Sequence, residues 1–113
     1  MADCIFCKLA LGEIKTDMVY EDESIACFKD ANPVAPVHLL VVPKKHIESL
    51  NQLNEEDLEL MGHIMLKIKD IAKDIGLENG YRVIINTGED GQQTVKHLHV
   101  HIIGKRKMTW PPG

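Results

Sequence analysis

The sequence predicts an α+β fold with a mainly antiparallel five-stranded sheet, one long helix and one short helix. Apolar residues recur every three or four positions between Glu55 and Ile75, which is the period of a helix face. Short β-branched or apolar runs lie on both sides of that segment and are separated by turn residues. No repeat, low-complexity segment or Ser/Gly linker divides the chain, so a single domain spanning 1–113 is expected.

The first half of the chain is predicted to hold the short helix and three strands. The segments "MVYED" (18–22) and "SIACFKD" (24–30) form a predicted hairpin around the charged turn Asp22-Glu23. Two prolines in "NPVAPV" then interrupt the ladder. The apolar run "HLLVVP" (38–43) that follows is the predicted central strand.

The long helix is predicted from Glu55 to Ile75. Asn54 is placed to cap its first turn together with Asp57, and Gly76 stands where a left-handed residue ends a helix. The apolar face is wider than packing on one sheet requires, so part of it is expected to contact another subunit. Its two stripes are Leu58, Met61, Met65, Ile68, Ala72 and Ile75, and Leu60, Ile64 and Ile71.

Two further strands are predicted near the C-terminus, "YRVIIN" (81–86) and "KHLHVHII" (96–103), with the polar loop "TGEDGQQT" (87–94) between them. Side chains alternate along a strand, so His97, His99 and His101 share one face. The apolar residues between them face a core. Three imidazoles at this spacing indicate either a catalytic set or a metal site, and an ordinary solvent-facing strand is the bland alternative.

Cys4-Ile-Phe-Cys7 is a C-x-x-C pair, which is typical of a redox motif, half of a zinc site, or two buried small side chains. A thioredoxin-like redox motif needs a preceding strand, and only three residues precede Cys4. Zinc and simple packing remain as interpretations. A zinc site would need two more ligands, which must be histidines distant in sequence.

Composition excludes several classes of function. Thirteen basic and seventeen acidic residues give a formal charge of −4, which argues against a broad surface for nucleic acid. No apolar run approaches the 18 or so residues of a membrane span, and "MADCIFCKLA" lacks the features of a secretory leader. Three cysteines, an odd number, favour a reducing cytoplasm over a disulfide framework.

"HLHVHII" resembles the His-φ-His-φ-His-φ-φ signature, with φ apolar, of the histidine triad (HIT) family. The segments "CFKD", "HLLVVPKKHI", "GYRVIIN" and the terminal "MTWPPG" resemble its Hint branch, the histidine triad nucleotide-binding proteins. The resemblance implies an HIT-like fold, with the sheet extended across a homodimer. It also implies a purine nucleoside phosphoramidase, which cleaves the P–N bond of nucleoside 5′-phosphoramidates of the AMP-lysine type. Aminoacyl adenylates, in which oxygen joins the amino acid to phosphorus, are a further substrate class that the resemblance implies.

The resemblance assigns the catalytic roles. His99 is the implied nucleophile, which forms a nucleotidyl-imidazole intermediate that water hydrolyses. His101 is expected to contact a phosphoryl oxygen and to help a proton reach the leaving amine, and His38 to hold the triad in its tautomer. Thr94, often serine in the family, keeps a hydroxyl for the leaving group.

The resemblance also implies the nucleotide contacts. Asp30 matches the carboxylate that accepts the ribose hydroxyls, and the loop before the triad is expected to surround the phosphate. Gln92 departs from the family pattern, where glycine is frequent. Trp110 is expected to reach the partner subunit's active site. The full set of implied nucleotide-binding residues is Ile5, Phe6, Phe28, Asp30, Asn86, Gln92, Gln93, Thr94, His99, His101 and Trp110.

Many bacterial relatives that carry the N-terminal cysteine pair hold a structural zinc ion, and the matching ligands here are Cys4, Cys7, His46 and His97. Such a site has no open position, so zinc would not be needed for the chemistry. Three other functions stay open at this point. They are a dinucleoside polyphosphate hydrolase, a nucleotide-binding interaction module with incidental hydrolysis, and a hydrolase with catalytic zinc on the triad.

Overall fold

The computed structural model describes residues 3–113, which form a five-stranded antiparallel sheet with the strand order β1-β2-β3-β5-β4. The predicted fold class, with one long and one short helix, is confirmed. The predicted central strand is the middle strand of the sheet. The elements are α1 (Ile5–Ala10), β1 (Met18–Glu21), β2 (Ile25–Lys29), β3 (Val37–Pro43), α2 (Leu58–Asp74), β4 (Tyr81–Ile84) and β5 (Val100–Gly104).

The sheet is covered on both faces, because its central strands alternate apolar side chains to either side. On one face α2 packs against β2, β3 and β5, and on the other the short helix α1 packs against β2 and β3. The α1 face is the one that carries His38 and His101, since both follow the same alternation as Leu40. The α2 side of the core includes Cys27, which is fully buried as a small apolar side chain.

The long helix begins as predicted, with a capping box in which the Asn54 amide donates to Asp57 and the Asn54 side chain accepts from the Glu56 amide. Its first turn, Glu55–Asp57, is a 3₁₀ turn and the α-helix proper starts at Leu58. Gly76 has φ +82°, which confirms the left-handed residue at the C-terminal end.

The face that α2 buries differs from the longer of the two predicted stripes. Ile64, Ile68 and Ile71 are buried, whereas Leu58 is 72% and Met65 41% exposed. The contact with the sheet therefore runs between the two stripes, and the outer edge of the first stripe faces away from the core.

The last strand is shorter than predicted, because it begins at Val100 and not at Lys96. Its ladder with β3 ends where Val41 pairs with Val100, near Pro43, the last residue of β3. Beyond that point the chain leaves the sheet and bonds to the segment after β3, with the Leu98 amide donating to the carbonyl of Ile47. His97 and His99 thus lie in an irregular segment that precedes the strand.

Within residues 3–113, no helix combines the length and the apolar character that crossing a membrane would require.

Candidate active site and candidate metal centre

A cavity of about 420 Å³ lies on the α1 face of the sheet, and it brings together most of the predicted nucleotide-binding residues. Lys15 and Lys29 also line it and give a basic rim that the sequence interpretation missed. The predicted residues in the lining are Ile5, Phe6, Phe28, Asp30, Thr94, His99 and His101. Phe6 and Phe28 also belong to the core, so the base-clamp and core-packing interpretations are compatible.

His99 is buried at the wall of this cavity, and its tautomer is fixed by the backbone. Its Nδ1 nitrogen lies 2.7 Å from the carbonyl oxygen of His97, and a carbonyl can only accept, so Nδ1 carries the proton. In this tautomer the Nε2 nitrogen holds the lone pair. The ring of Phe6 meets His99 edge to face at 4.8 Å between centroids, which fixes the imidazole plane.

His38 and His101 form a hydrogen-bonded pair, and the tautomers of both rings are defined. The Val34 amide donates to His38 Nδ1 at 3.1 Å, so His38 carries its proton on Nε2. That nitrogen lies 2.9 Å from His101 Nδ1, which must accept. His101 consequently carries its own proton on Nε2, a buried atom that no polar group of residues 3–113 contacts. His101, whose ring lines the cavity, is left with one hydrogen-bond donor that is unpaired within these residues.

Burial favours the neutral form of His38 and His101. Burial, followed by the neighbouring His99 and His38, lowers the pKa of His101 to about 4. Burial also lowers the pKa of His38, and the Asp30 carboxylate opposes that shift. At neutral pH His38 and His101 are therefore imidazoles and not imidazolium ions.

Asp30, at the end of β2, is bound on both oxygens. One oxygen accepts from the Asn32 amide at 2.8 Å, and the other lies 3.3 Å from His38 Nε2. Because Asp30 also lines the cavity, it joins the cavity wall to the histidine chain. Its ribose role stays a prediction.

The loop before the triad is held by its own side chains and backbone. Gln93 donates to the carbonyls of Glu48 at 2.7 Å and Val95 at 3.0 Å, so its amide ties the loop to the segment after β3. Gln92 has φ +62°, a left-handed conformation that explains why glycine suits this position. A Cβ on Gly91 would lie 2.4 Å from the carbonyl oxygen of Thr87, so only glycine fits there.

Four of the predicted nucleotide-binding residues do not line the cavity of this chain: Asn86, Gln92, Gln93 and Trp110. Trp110 is 81% exposed. The guanidinium carbon of Arg82, on β4, lies over its indole ring, 5.8 Å from the ring centroid. Arg82 also donates to the carbonyl of Thr109. The C-terminal segment thus lies along the edge strand of its own chain.

The four predicted metal ligands form one cluster beside the cavity, although they come from three distant segments. Cys4 caps α1, Cys7 lies within it, His46 follows β3, and His97 precedes β5. Their ligand atoms all lie within 4.8 Å of one another. His97 Nε2 donates to the carbonyl of Pro43 at 2.8 Å, so its Nδ1 lone pair faces the sulfurs.

The distances in the cluster fit a tetrahedral ion. The Sγ–Nδ1 separations are 3.2 Å for Cys4 and His97, 3.2 Å for Cys7 and His46, and 3.4 Å for Cys7 and His97. Zinc bonds of about 2.3 Å to sulfur and about 2.0 Å to nitrogen put neighbouring ligands about 3.5 Å apart. Burial, with Cys4 as the next cause, raises the pKa of the Cys7 thiol to about 11, so a thiolate there needs a cation.

One further histidine, outside the predicted site, has a defined partner. His63 Nε2, on α2, lies 2.6 Å from the carboxylate of Asp22, which closes the β1–β2 hairpin. The two residues are 41 positions apart, and no local spacing rule connects them. The pair joins the long helix to the hairpin, and neither residue lines the cavity.

The antiparallel sheet and its row of histidines beside a cavity define a histidine triad protein, and comparisons with known proteins agree. Residues 3–110 match the family model described as scavenger mRNA decapping enzyme C-term binding. An uncharacterised HIT-like protein of Synechococcus elongatus is 50% identical over 98% of this chain and 97% of its own. Protein HitA of Neisseria gonorrhoeae is 52% identical over 92% of this chain and 97% of its own.

Solved structures give the same result. An HIT family hydrolase from Legionella pneumophila is 48% identical and superposes with a TM-score of 0.96, over 98% of this chain and all of its own. A histidine triad protein from Clostridium difficile is 50% identical with a TM-score of 0.93, over 96% of each chain. The chain belongs to the HIT family, and hydrolases are among its structural relatives.

Proposed function

We propose that this protein is a nucleotide hydrolase of the Hint type, which cleaves the P–N bond of purine nucleoside 5′-phosphoramidates through a covalent intermediate on His99. The observation that carries the proposal is the pair of fixed tautomers at one cavity wall. His99 offers a lone pair, and His101 offers a hydrogen-bond donor, with ring centroids 5.1 Å apart. A nucleophile beside a donor is what attack on a phosphoryl group needs.

In the first step the lone pair of His99 Nε2 forms a bond to phosphorus. The bond from phosphorus to the substrate nitrogen breaks, its electron pair stays on that nitrogen, and the nitrogen takes up a proton from water as it leaves. Thr94 lines the same cavity, and its hydroxyl is assigned to hydrogen-bond the leaving nitrogen. The carbonyl of His97 stabilises the Nδ1–H of the substituted ring, which becomes positively charged.

In the second step water attacks phosphorus and the bond to His99 breaks, which returns the lone pair to Nε2 and releases the nucleoside monophosphate. The attacking water gives one proton to solvent, which replaces the proton that the amine took up in the first step. His101 Nε2–H is assigned to a non-bridging phosphoryl oxygen in both steps, where it stabilises the charge that develops. The net reaction consumes one water molecule and gives a nucleotide and an amine. Asp30 is assigned to the ribose, and Ile5, Phe6 and Phe28 to the purine.

The Cys4, Cys7, His46 and His97 cluster is proposed to bind zinc. A zinc ion there would have four protein ligands and would support the fold without taking part in the reaction. The fit of the donor set and of its spacing supports this assignment. One zinc per chain is the expected stoichiometry.

A homodimer is proposed, in which the C-terminal segment with Trp110 of each chain reaches the partner's cavity. Exposed apolar side chains on α2 and on the edge strand β4 support an interface there: Leu58, Met65, Leu66, Tyr81 and Val83. The three cysteines are free thiols, which fits a reducing cytoplasm.

The proposed activity is tested by comparing an adenosine 5′-phosphoramidate of a primary amine with a diadenosine polyphosphate as substrates. We expect a higher kcat/KM for the phosphoramidate. His99→Ala should lower kcat at least about a thousandfold and still bind AMP, because the nucleophile is lost and the cavity wall is kept. His63→Ala is the matched control, since His63 lies outside the cavity lining.

A clear preference for the polyphosphate would contradict the assigned substrate class and favour the sibling hydrolase. Turnover that survives in His99→Ala but stops when metal is removed from the folded protein would reassign the attack to a metal-bound water.

A further inference from the structure

The metal cluster and the cavity share the helix α1. Cys4 caps this helix and Cys7 lies in its first turn, while Ile5 and Phe6, between the two cysteines, line the cavity. A helix of six residues is too short to be stable by itself. Among its side chains, Phe6, Cys7 and Ala10 are buried. The cluster is therefore one of the few anchors that fix the position of this cavity wall.

A second structural connection between the metal cluster and the cavity, besides α1, runs through the segment before β5. His97 supplies a ring nitrogen to the cluster, and its carbonyl accepts the Nδ1–H of His99. Residues 96–99 lack ladder hydrogen bonds, since β5 begins at Val100. Their position depends on the contacts of His97 with Pro43 and with the two sulfurs, and on the Leu98 amide that donates to Ile47.

Phe6 connects the two paths. Its ring lies 6.2 Å from the ring of His97 and 4.8 Å from that of His99, edge to face in both cases. A shift of α1 would therefore move the cavity wall and release one side of the His99 imidazole at the same time. Phe28, the other aromatic ring of the lining, contacts Phe6 but belongs to β2, which the ladder holds on both sides.

We propose that binding of a divalent cation at Cys4, Cys7, His46 and His97 and binding of a nucleotide in the cavity are thermodynamically coupled, with Phe6 as the positioning residue that transmits the coupling. The inference rests on the proposed nucleotide function. Both ligands require the same arrangement of α1 and of residues 96–99, so the first ligand to bind meets the ordering cost for the second. Linkage then demands that each raises the affinity for the other by the same factor.

The experiment uses zinc and AMP with the whole protein under a reductant that does not bind metal. Calorimetry gives the Kd of AMP for the zinc-loaded and the metal-free protein, and competition with a chromophoric chelator gives the Kd of zinc with and without saturating AMP. We expect both ratios to agree and to exceed about fivefold, the lower end of common coupling factors.

Two matched variants locate the path. Phe6→Leu should reduce the coupling factor towards one, because it removes the ring that contacts both His97 and His99. Phe28→Leu should weaken AMP binding by a similar factor in both metal states and leave the coupling factor unchanged. Equal loss of coupling in the two variants would remove Phe6 from its proposed role.

Each remaining outcome is decisive. AMP that binds equally well with and without zinc overturns the coupling and leaves the nucleotide function intact. AMP that binds neither form overturns both. Far-UV circular dichroism of the metal-free protein must match that of the loaded protein, since a collapsed spectrum would mean that the ion supports the whole fold and not this local path.

Discussion

The Nε2 nitrogen of His38 lies 2.9 Å from the Nδ1 nitrogen of His101, and the direction of this hydrogen bond is set by a backbone amide. Val34 N–H donates to the far side of His38, so the proton of His38 faces His101. The consequence is a His101 ring that carries its proton on Nε2. A single amide on the loop before β3 thus determines which nitrogen of His101 carries the proton.

This relation predicts the effect of replacing His38. His38→Gln keeps an N–H donor near the position of Nε2, whereas His38→Ala leaves His101 Nδ1 without a donor in a buried site. We expect His38→Ala to lower kcat by about a hundredfold, the scale of a lost orienting group, and His38→Gln to recover a substantial part. Steady-state kinetics measure both, and equal losses in the two variants would contradict the orienting role.

The lowered pKa of His101 predicts a pH dependence of stability. The unfolded residue gains a proton below pH 6.5, but the folded residue stays neutral down to about 4. The unfolded state therefore binds more protons in this window, and the free energy of unfolding falls as the pH drops from 6.5 to about 4. His101→Gln should lose part of this dependence, on the order of 2 kcal/mol.

Chemical denaturation at pH 7 and pH 4.5, on wild type and His101→Gln in the same metal state, gives the double difference. Contributions from the metal ligands are common to both proteins and cancel. A pH dependence that is the same in wild type and variant would show that His101 is not buried as a neutral ring.

The backbone of the loop before the triad predicts opposite effects at two adjacent positions. Gln92→Gly should raise the free energy of unfolding by about 0.5–1 kcal/mol, because the left-handed φ suits glycine better. Gly91→Ala should lower it by more than 1 kcal/mol, because the added methyl group meets the Thr87 carbonyl. Thermal unfolding of both variants measures this, and a stabilised Gly91→Ala would contradict the loop geometry.

The Asp22 carboxylate predicts acid sensitivity at the hairpin. Burial alone would raise its pKa, but hydrogen bonds from His63, the Ser24 amide and Tyr20 outweigh burial and hold the pKa below its ordinary value. Its stabilising contribution is complete above the unfolded value near 3.8 and is lost as the pH falls below that. Asp22→Asn should cost about 1–2 kcal/mol at pH 7.

Denaturation of Asp22→Asn and wild type at pH 7 and pH 2.5 checks this prediction, with turnover at pH 7 as the control. The difference between the two proteins should shrink at the acid end. A difference that stays constant with pH would mean that the carboxylate charge is not the stabilising feature.

Local signals were enough to predict most of the fold. The spacing of apolar residues predicted α2, Asn54 and Gly76 marked its ends, and the prolines after Asp30 marked the boundary before the central strand. The shortened last strand could not be read locally, because alternation continues through His97 while the ladder ends at Val100. The strand begins late because His97 and Leu98 donate hydrogen bonds to the carbonyls of Pro43 and Ile47, which are distant in sequence.

For the candidate site, the motif and the family resemblance predicted the residues but could not give their hydrogen bonds. The donor to His38 is the backbone amide of Val34. Every residue except proline has such an amide, so the sequence does not show which one donates. Gln93 is a comparable case, since its bonds to Glu48 and Val95 depend on how two loops meet. The pair of His63 and Asp22 depends on where α2 crosses the sheet.

The most direct test of His99 as the nucleophile is to trap the covalent intermediate. The protein is mixed rapidly with an adenosine 5′-phosphoramidate and quenched within one turnover. Its peptides are then sequenced by mass spectrometry, and His99→Ala is treated in parallel. We expect a transient mass gain of one AMP on the peptide that contains His99 in wild type and none in His99→Ala. Substrate consumed by wild type with no adduct at any time, or an adduct on another residue, would contradict His99 as the nucleophile.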